Sequence, residues 1–125
     1  MIRIAQFETV TSGIGITYRP RVYGDPQGVM WDGYIVFFPL AGGAVISTPR
    51  ETTQRTLADL ERWALTLNHV YLEGALVRAL ETASGLPLPG GSIADAEAEE
   101  LRAAADAVAA ANALAAEDAV AHRRD

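Results

Sequence analysis

Few residues in this chain have the type and spacing to do chemistry. His69 and Glu73 stand one helical turn apart, the i, i+4 spacing at which a helix offers two ligands to a metal ion. A zinc site needs a third and usually a fourth ligand, and the chain has no Cys and only one other His, His122. The pair therefore reads as a surface ion pair, and His122, beside Arg123 and Arg124, as solvated. Gly13-Ile14-Gly15 opens like a dinucleotide fingerprint, but the third Gly is missing and a strand pattern follows where a helix is required. No G-x-S-x-G elbow, P-loop, or nucleophile with an adjacent base occurs. Glu8, Asp25 and Asp32 would serve general acid–base or metal work only if the fold gathers them, and otherwise read as acids at turns and strand edges. Arg19 and Arg21, with Tyr18 and Tyr23 alongside, form a basic face for a phosphate or an acidic peptide, or simply a solvated one. The candidate ligand face is thus Arg19, Arg21, Asp32 and Tyr34, with no catalytic residue, metal or cofactor expected.

Those side chains must be positioned by a β-rich first half. Ile14, Ile16, Tyr18 and Val22 share one parity and Thr17, Arg19 and Arg21 the other, the period-two pattern of a half-buried strand with one basic, wet face. Gly24-Asp25-Pro26-Gln27-Gly28 supplies turn residues. From Val29 to Phe38 both parities are apolar, with Trp31, Ile35 and Phe37 on one side and Met30, Tyr34, Val36 and Phe38 on the other, as in a central strand covered on both faces. Leu40-Ala41-Gly42-Gly43 reads as the next turn, Ala44 to Ser47 as a short strand, and Ile2 to Val10 as a further one.

Helix signals follow. Thr48-Pro49-Arg50-Glu51 has the form of a capping box, with Thr48 as N-cap, Pro49 at the first helical position and Glu51 completing the box. With no Gly before Gly74 and no Pro before Pro87, the pattern predicts a helix from about residue 49 to Ser84, ended by Gly85. That is about 54 Å at 1.5 Å per residue, long for so small a domain, with Asn68-His69 and Gly74 as the places where it would break. Its polar residues Glu51, Arg55, Asp59, Arg62, Thr66, His69 and Glu73 keep to one stripe, while Leu65, Leu67, Val70, Tyr71, Leu72, Leu76 and Val77 surround it, so more than one side must be covered. Leu86 to Gly91 is a connector. Ser92-Ile93-Ala94-Asp95 then starts an Ala-rich helix whose apolar face is Ile93, Leu101, Ala104, Val108, Ala111 and Ala115. Alanine buries little area, so this helix docks weakly or exchanges between subunits.

Composition bounds the function. The 125 residues suffice for one core, half of them are hydrophobic, and the net charge is −6 with all ten positive charges on Arg. The balance is +1 over residues 1–50, −2 over 51–92 and −5 over 93–125, so acidity concentrates at the C-terminal end. An acidic chain makes poor phosphate contacts, which disfavours nucleic acid and favours basic or neutral partners. The absence of Cys suits a reducing cytoplasm, and no apolar run approaches the roughly 20 residues of a membrane span. The expected fold is α+β: an antiparallel sheet of three to four strands packed on a long buried helix (residues 1–91), followed by the Ala-rich helix (92–125) packed on it or exchanged between subunits.

The run Ile16-Thr17-Tyr18-Arg19, then Asp32-Gly33-Tyr34-Ile35-Val36-Phe37-Phe38-Pro39, Gly42-Gly43, Thr48 and the following helix resembles HicB-type antitoxins over residues 14–89. Val70-Tyr71-Leu72-Glu73 and Gly85-Leu86-Pro87-Leu88-Pro89 look like that family's helix end and short Pro-containing strand. The resemblance implies a partial RNase-H-like domain without catalysis that binds a small basic protein and assembles as a dimer or tetramer. Three departures stand out: one Pro before the Gly turn, a helix about twice the usual length, and no recognisable DNA-binding appendage. The expected function is accordingly a non-catalytic protein-binding or regulatory module, antitoxin-like and homo-oligomeric, with Leu65, Leu72, Leu76, Leu101, Val108 and Ala111 at the partner or subunit interface. The alternatives are a small enzyme or ligand-binding domain using the sheet face, and an oligomeric structural protein.

Overall fold

In the computed structural model, which describes residues 1–83, 86–87 and 96–123, the chain is an α+β domain with an antiparallel sheet between two helical layers. Strands β3 (Thr17–Gln27) and β4 (Met30–Pro39) form its centre. The outer edge of β3 carries β1 (Ile2–Gln6) and β2 (Val10–Thr11), one beyond the other. Likewise β5 (Ala44–Ser47) and β6 (Thr52–Gln54) share the outer edge of β4. These lanes match the expected three to four strands, each edge lane being broken in two, and β7 (Leu86–Pro87) adds to β5.

The central hairpin turns at Gly28-Val29, later than Gly24–Gly28 suggests, because β3 continues through Pro26 to pair Gln27 with Met30. Gly28 takes φ 61°, the left-handed conformation that a two-residue hairpin loop asks of its first position. Pro26 is tolerated for a reason of hydrogen-bond phase. Ile35 points its backbone bonds at Thr48, on the far side of β4 from β3, so Val22–Ile35 is a non-hydrogen-bonded pair. By alternation the pairs Pro20–Phe37 and Pro26–Trp31 are too, and neither proline removes a bond from the β3–β4 ladder.

Thr48-Pro49-Arg50-Glu51 is not a helix start. It is the gap between β5 and β6. Thr48 is fully buried, donates its N–H to Ile35 O (3.0 Å) and accepts the Ile35 N–H on Oγ1 (3.2 Å), so a side chain completes the ladder where the strand departs. Glu51 N–H then rejoins the ladder at Gly33 O (2.8 Å). Beyond it the β-branched pair Thr52-Thr53 continues as strand.

The single long helix is replaced by two. Helix α1 (Leu57–Leu65) starts at Thr56, whose side chain accepts from Asp59 N–H, and α2 (His69–Thr82) starts at Asn68, whose side chain accepts from Tyr71 N–H. The break falls at Asn68-His69, not at Gly74, and α2 ends at Thr82, with Ala83 extended, before Gly85 is reached. The expected end at Gly85 and the Ser92 cap lie outside the described residues.

Each helix buries one face, not most of its circumference. Leu72, Ala75, Leu76 and Ala79 of α2 and Ala64 of α1 pack on the sheet face formed by Tyr18, Val22, Ile35, Phe37 and Ile46. Leu60 sits over Gly24 and Gly33, direct cross-strand partners, where an added Cβ would come within 2.7 and 2.8 Å of its methyl carbons. Ile14 and Ile16, grouped with the core by parity, precede β3 and are exposed.

The third helix, α3 (Ala96–Arg123), covers the opposite sheet face. Its Ala103, Ala104, Ala107 and Val108 meet Tyr23, Tyr34, Val36, Phe38 and Val45, and Ala111 is buried as well. Small residues on the helix let it approach closely, and the large ones on the sheet supply the buried area. The face that carries Arg19 and Arg21 is therefore roofed by a helix and not wet throughout. No helix among the described residues is long and apolar enough to cross a membrane.

Candidate functional site

Of the candidate ligand face, the structure keeps Asp32 and Tyr34 together and takes Arg19 and Arg21 away. Arg19 donates to Phe7 O at 2.9 Å. Arg21 lies over the Phe38 ring, donates to Gln6 Oε1 and approaches Glu100 Oε1 at 3.7 Å. Arg21 pairs with Val36, four residues beyond Asp32, so the arginines sit roughly 13 Å or more along the strand at about 3.3 Å per residue.

Asp32 instead faces Asp25, its direct partner across the hairpin. Around them is a cleft of about 550 Å³ lined by Asp25, Gln27, Asp32, Tyr34, Pro49, Arg50 and Asn112. Three parts of the fold contribute: the end of the hairpin supplies the acids, the β5–β6 gap supplies Pro49 and Arg50, and α3 supplies Asn112. Glu8 does not join, because Phe7 N–H bonds Pro20 O and holds Glu8 beside the distant end of β3. Of the three acids that might have converged, two do.

Two nearly buried polar groups point into the cleft with bonding capacity to spare. Asp32 is 7% exposed; its Oδ1 accepts from Thr53 Oγ1 at 2.8 Å, while Oδ2 has a loose ion pair with Arg50 Nη1 at 3.9 Å. Tyr34 is 3% exposed; its hydroxyl accepts from Asn112 Nδ2 at 3.1 Å, and no acceptor for its own proton is found among the described residues. Burial, followed by the fields of Asp32 and Asp25, pushes the Tyr34 phenol above its usual range despite the Asn112 bond, so it stays protonated and a donor at neutral pH. Gln27 Nε2 donates to Asp25 Oδ2 at 2.8 Å and orients it.

Sequence reasoning missed Arg50, Asn112 and Gln27. The convergence of Asp25 and Asp32 was available from the register, since a turn at Gly28-Val29 pairs them; placing the turn four residues early hides it. Nothing local marks Asn112, which joins only because α3 folds back over the sheet.

His69 Nε2 and Glu73 Oε1 form the expected one-turn pair at 2.7 Å, both side chains exposed. No group of three or more His, Cys, Asp or Glu able to hold a metal is found among the described residues. Glu51, expected as a helix cap, accepts from Tyr71 Oη at 2.7 Å and from Arg78, clamping the β5–β6 gap to α2. Glu100 accepts from Tyr23 Oη (2.6 Å) and Arg3 (3.0 Å), tying α3 to the sheet at the end away from the cleft.

The residues expected at an interface divide. Leu72, Leu76, Val108 and Ala111 are consumed by the chain's own two cores. Leu65 and Leu101 are exposed, Leu65 at 84%, together with Val70 at 75% and Val77 at 55%. Comparison of the chain with protein-family models, curated proteins and solved structures gave no match.

Proposed function

We propose that this chain is a non-catalytic protein-binding module, regulatory and antitoxin-like in kind, that receives its partner at the Asp32 cleft. The observation that carries the reading is that Asp32 Oδ2 and the Tyr34 hydroxyl, on residues otherwise nearly buried, open onto the cleft with bonding capacity to spare, where three parts of the fold meet. No buried side-chain polar atom among the described residues lacks a partner, so the spare capacity lies on atoms that face the concave surface, where a ligand can use it. The size of the cleft and its few convergent polar groups suit recognition. The net charge of −6 suits a basic partner.

The test is crosslinking of the tagged chain in its native cells, repeated with Asp32→Asn and Tyr34→Phe, both close in shape to the originals. A protein partner lost from both variants, with their urea midpoints near that of the parent, is the expected result. Capture undiminished by either change would refute the cleft as the binding surface.

A second reading, self-association as a dimer or tetramer, is favoured by Leu65, Val70 and Val77. Val70 and Val77 are seven residues apart and so share one exposed face of α2. Sedimentation equilibrium across micromolar concentrations tests it, and a monomer throughout would end it.

A further inference from the structure

We infer that the cleft is built to take a guanidinium group, and that Arg50 is the chain's own stand-in for it; the inference rests on reading the cleft as the binding surface. Direct cross-strand partners place their Cβ atoms about 5 Å apart, so the Asp25 and Asp32 carboxylates repel unless a cation lies near them. Arg50 is the cation that lines the cleft, but it fills the role poorly. Its Nη1 is 3.9 Å from Asp32 Oδ2, beyond hydrogen-bond range, and its side chain is 60% exposed. An exposed pair of that kind is screened by solvent and contributes little. A ligand cation can therefore displace it at little cost.

The acceptors favour a planar fork over a point charge. Asp32 Oδ2, the Asp25 carboxylate and the side-chain carbonyl of Asn112 belong to two strands and a helix that line one cleft, so the acceptors are spread over several elements and not gathered on one. A guanidinium presents five donors in one plane and can serve divergent acceptors, whereas an ammonium offers three from a single, strongly hydrated nitrogen. The Tyr34 proton adds a complementary requirement. It needs an acceptor, which an arginine residue supplies through its main-chain carbonyl and a bare guanidinium lacks.

Two sources share this chemistry, a free arginine-like molecule and an arginine side chain of a protein segment. The test titrates the full chain, followed by backbone amide shifts, with methylguanidinium, L-arginine, N-acetyl-arginine methylamide, and the matching lysine and glutamate methylamides. The amides of Asp32 and Tyr34 are expected to move with the arginine probes, with Kd about fivefold or more below that of the lysine probe. Tightest binding by the blocked arginine assigns the site to a protein segment; tightest binding by free arginine assigns it to a small molecule. Asp32→Asn, and independently Asp25→Asn, should raise Kd about tenfold by removing a charge-assisted bond. Arg50→Ala should lower Kd by about threefold through loss of the internal competitor.

Binding of the glutamate probe that Arg50→Ala abolishes would overturn the inference, making Arg50 the ligand of an anion site. So would undiminished arginine binding by both acid variants. If no arginine probe binds while partner capture stays sensitive to Asp32→Asn, the guanidinium assignment falls and the partner site stands. If free arginine binds while capture ignores Asp32→Asn, the guanidinium site stands and the partner reading falls.

Discussion

Replacing Thr48 separates the helix-capping role expected of Thr48-Pro49-Arg50-Glu51 from the ladder role that the structure gives it. In the structure the Thr48 hydroxyl is a fully buried acceptor for Ile35 N–H at 3.2 Å. Thr48→Val preserves the side chain's shape and removes that acceptor, so no cavity contribution enters. The cost is that of an unsatisfied buried N–H, about 1–3 kcal/mol. Thr48→Ser keeps the hydroxyl and deletes one methyl group, which costs about 1 kcal/mol. The informative variant is Thr48→Asp. An aspartate is as good an N-cap as any residue and would leave a helix start intact. In a fully buried ladder position it places a carboxylate where the site provides one N–H, and the loss should reach several kcal/mol. Urea denaturation followed by circular dichroism gives the stabilities, and hydrogen exchange at the Ile35 amide gives the local reading. The valine and aspartate variants should both accelerate that amide, the serine variant much less. A Thr48→Asp protein as stable as its parent, or an Ile35 amide indifferent to Thr48→Val, would refute the ladder role.

Three further expectations can be checked independently. Gly33→Ala should destabilise by about 1–3 kcal/mol, because its Cβ would stand 2.8 Å from Leu60 Cδ1 and from Thr52 Cγ2; combined with Leu60→Ala the loss should fall short of the sum in urea melts, and strict additivity would argue against the contact. All four tyrosines are pushed above their usual range, burial being the first cause in each, with Tyr71 raised to about 12 by burial and then by its bond to Glu51. Since their folded values exceed the unfolded one near 10, this stabilisation is fully present below pH 10 and drains away as pH rises toward 12; ultraviolet titration should show little phenolate at pH 10 in the folded chain, and half-titration there would refute the packing of the four rings. Glu100→Gln should weaken the tie from Arg3 and Tyr23 to α3 by about 1 kcal/mol and speed exchange of α3 amides over residues 100–108, whereas unchanged protection would place the docking of α3 in its alanine face alone.

What could be read in advance followed from local periodicity. Alternation gave β4 both of its covered faces, with Ile35 and Phe37 beneath α1 and α2 and Tyr34, Val36 and Phe38 beneath α3. It failed where two local rules competed. Thr48 to Glu51 and Thr56 to Asp59 both resemble caps, and only the second begins a helix, because Thr52-Thr53 can extend the edge of β4 and bury Thr48 in doing so. Asp25 and Asp32 were visible as acids but not as neighbours, since a turn shifted by a few residues changes every cross-strand pair.

The sequence by itself determined the α+β class and the doubly covered central strand, because each depends on residue type and short-range spacing. Only the tertiary structure decided that the apolar helical stretch becomes two half-buried helices, that Arg19 and Arg21 lie along the same sheet face but away from the cleft, and that Asp25, Asp32, Tyr34, Arg50 and Asn112 share one cleft. Those outcomes depend on which distant segments compete for the same strand edge and sheet face. That competition is settled by burial and backbone hydrogen bonding across the whole chain, and no window of neighbouring residues contains it.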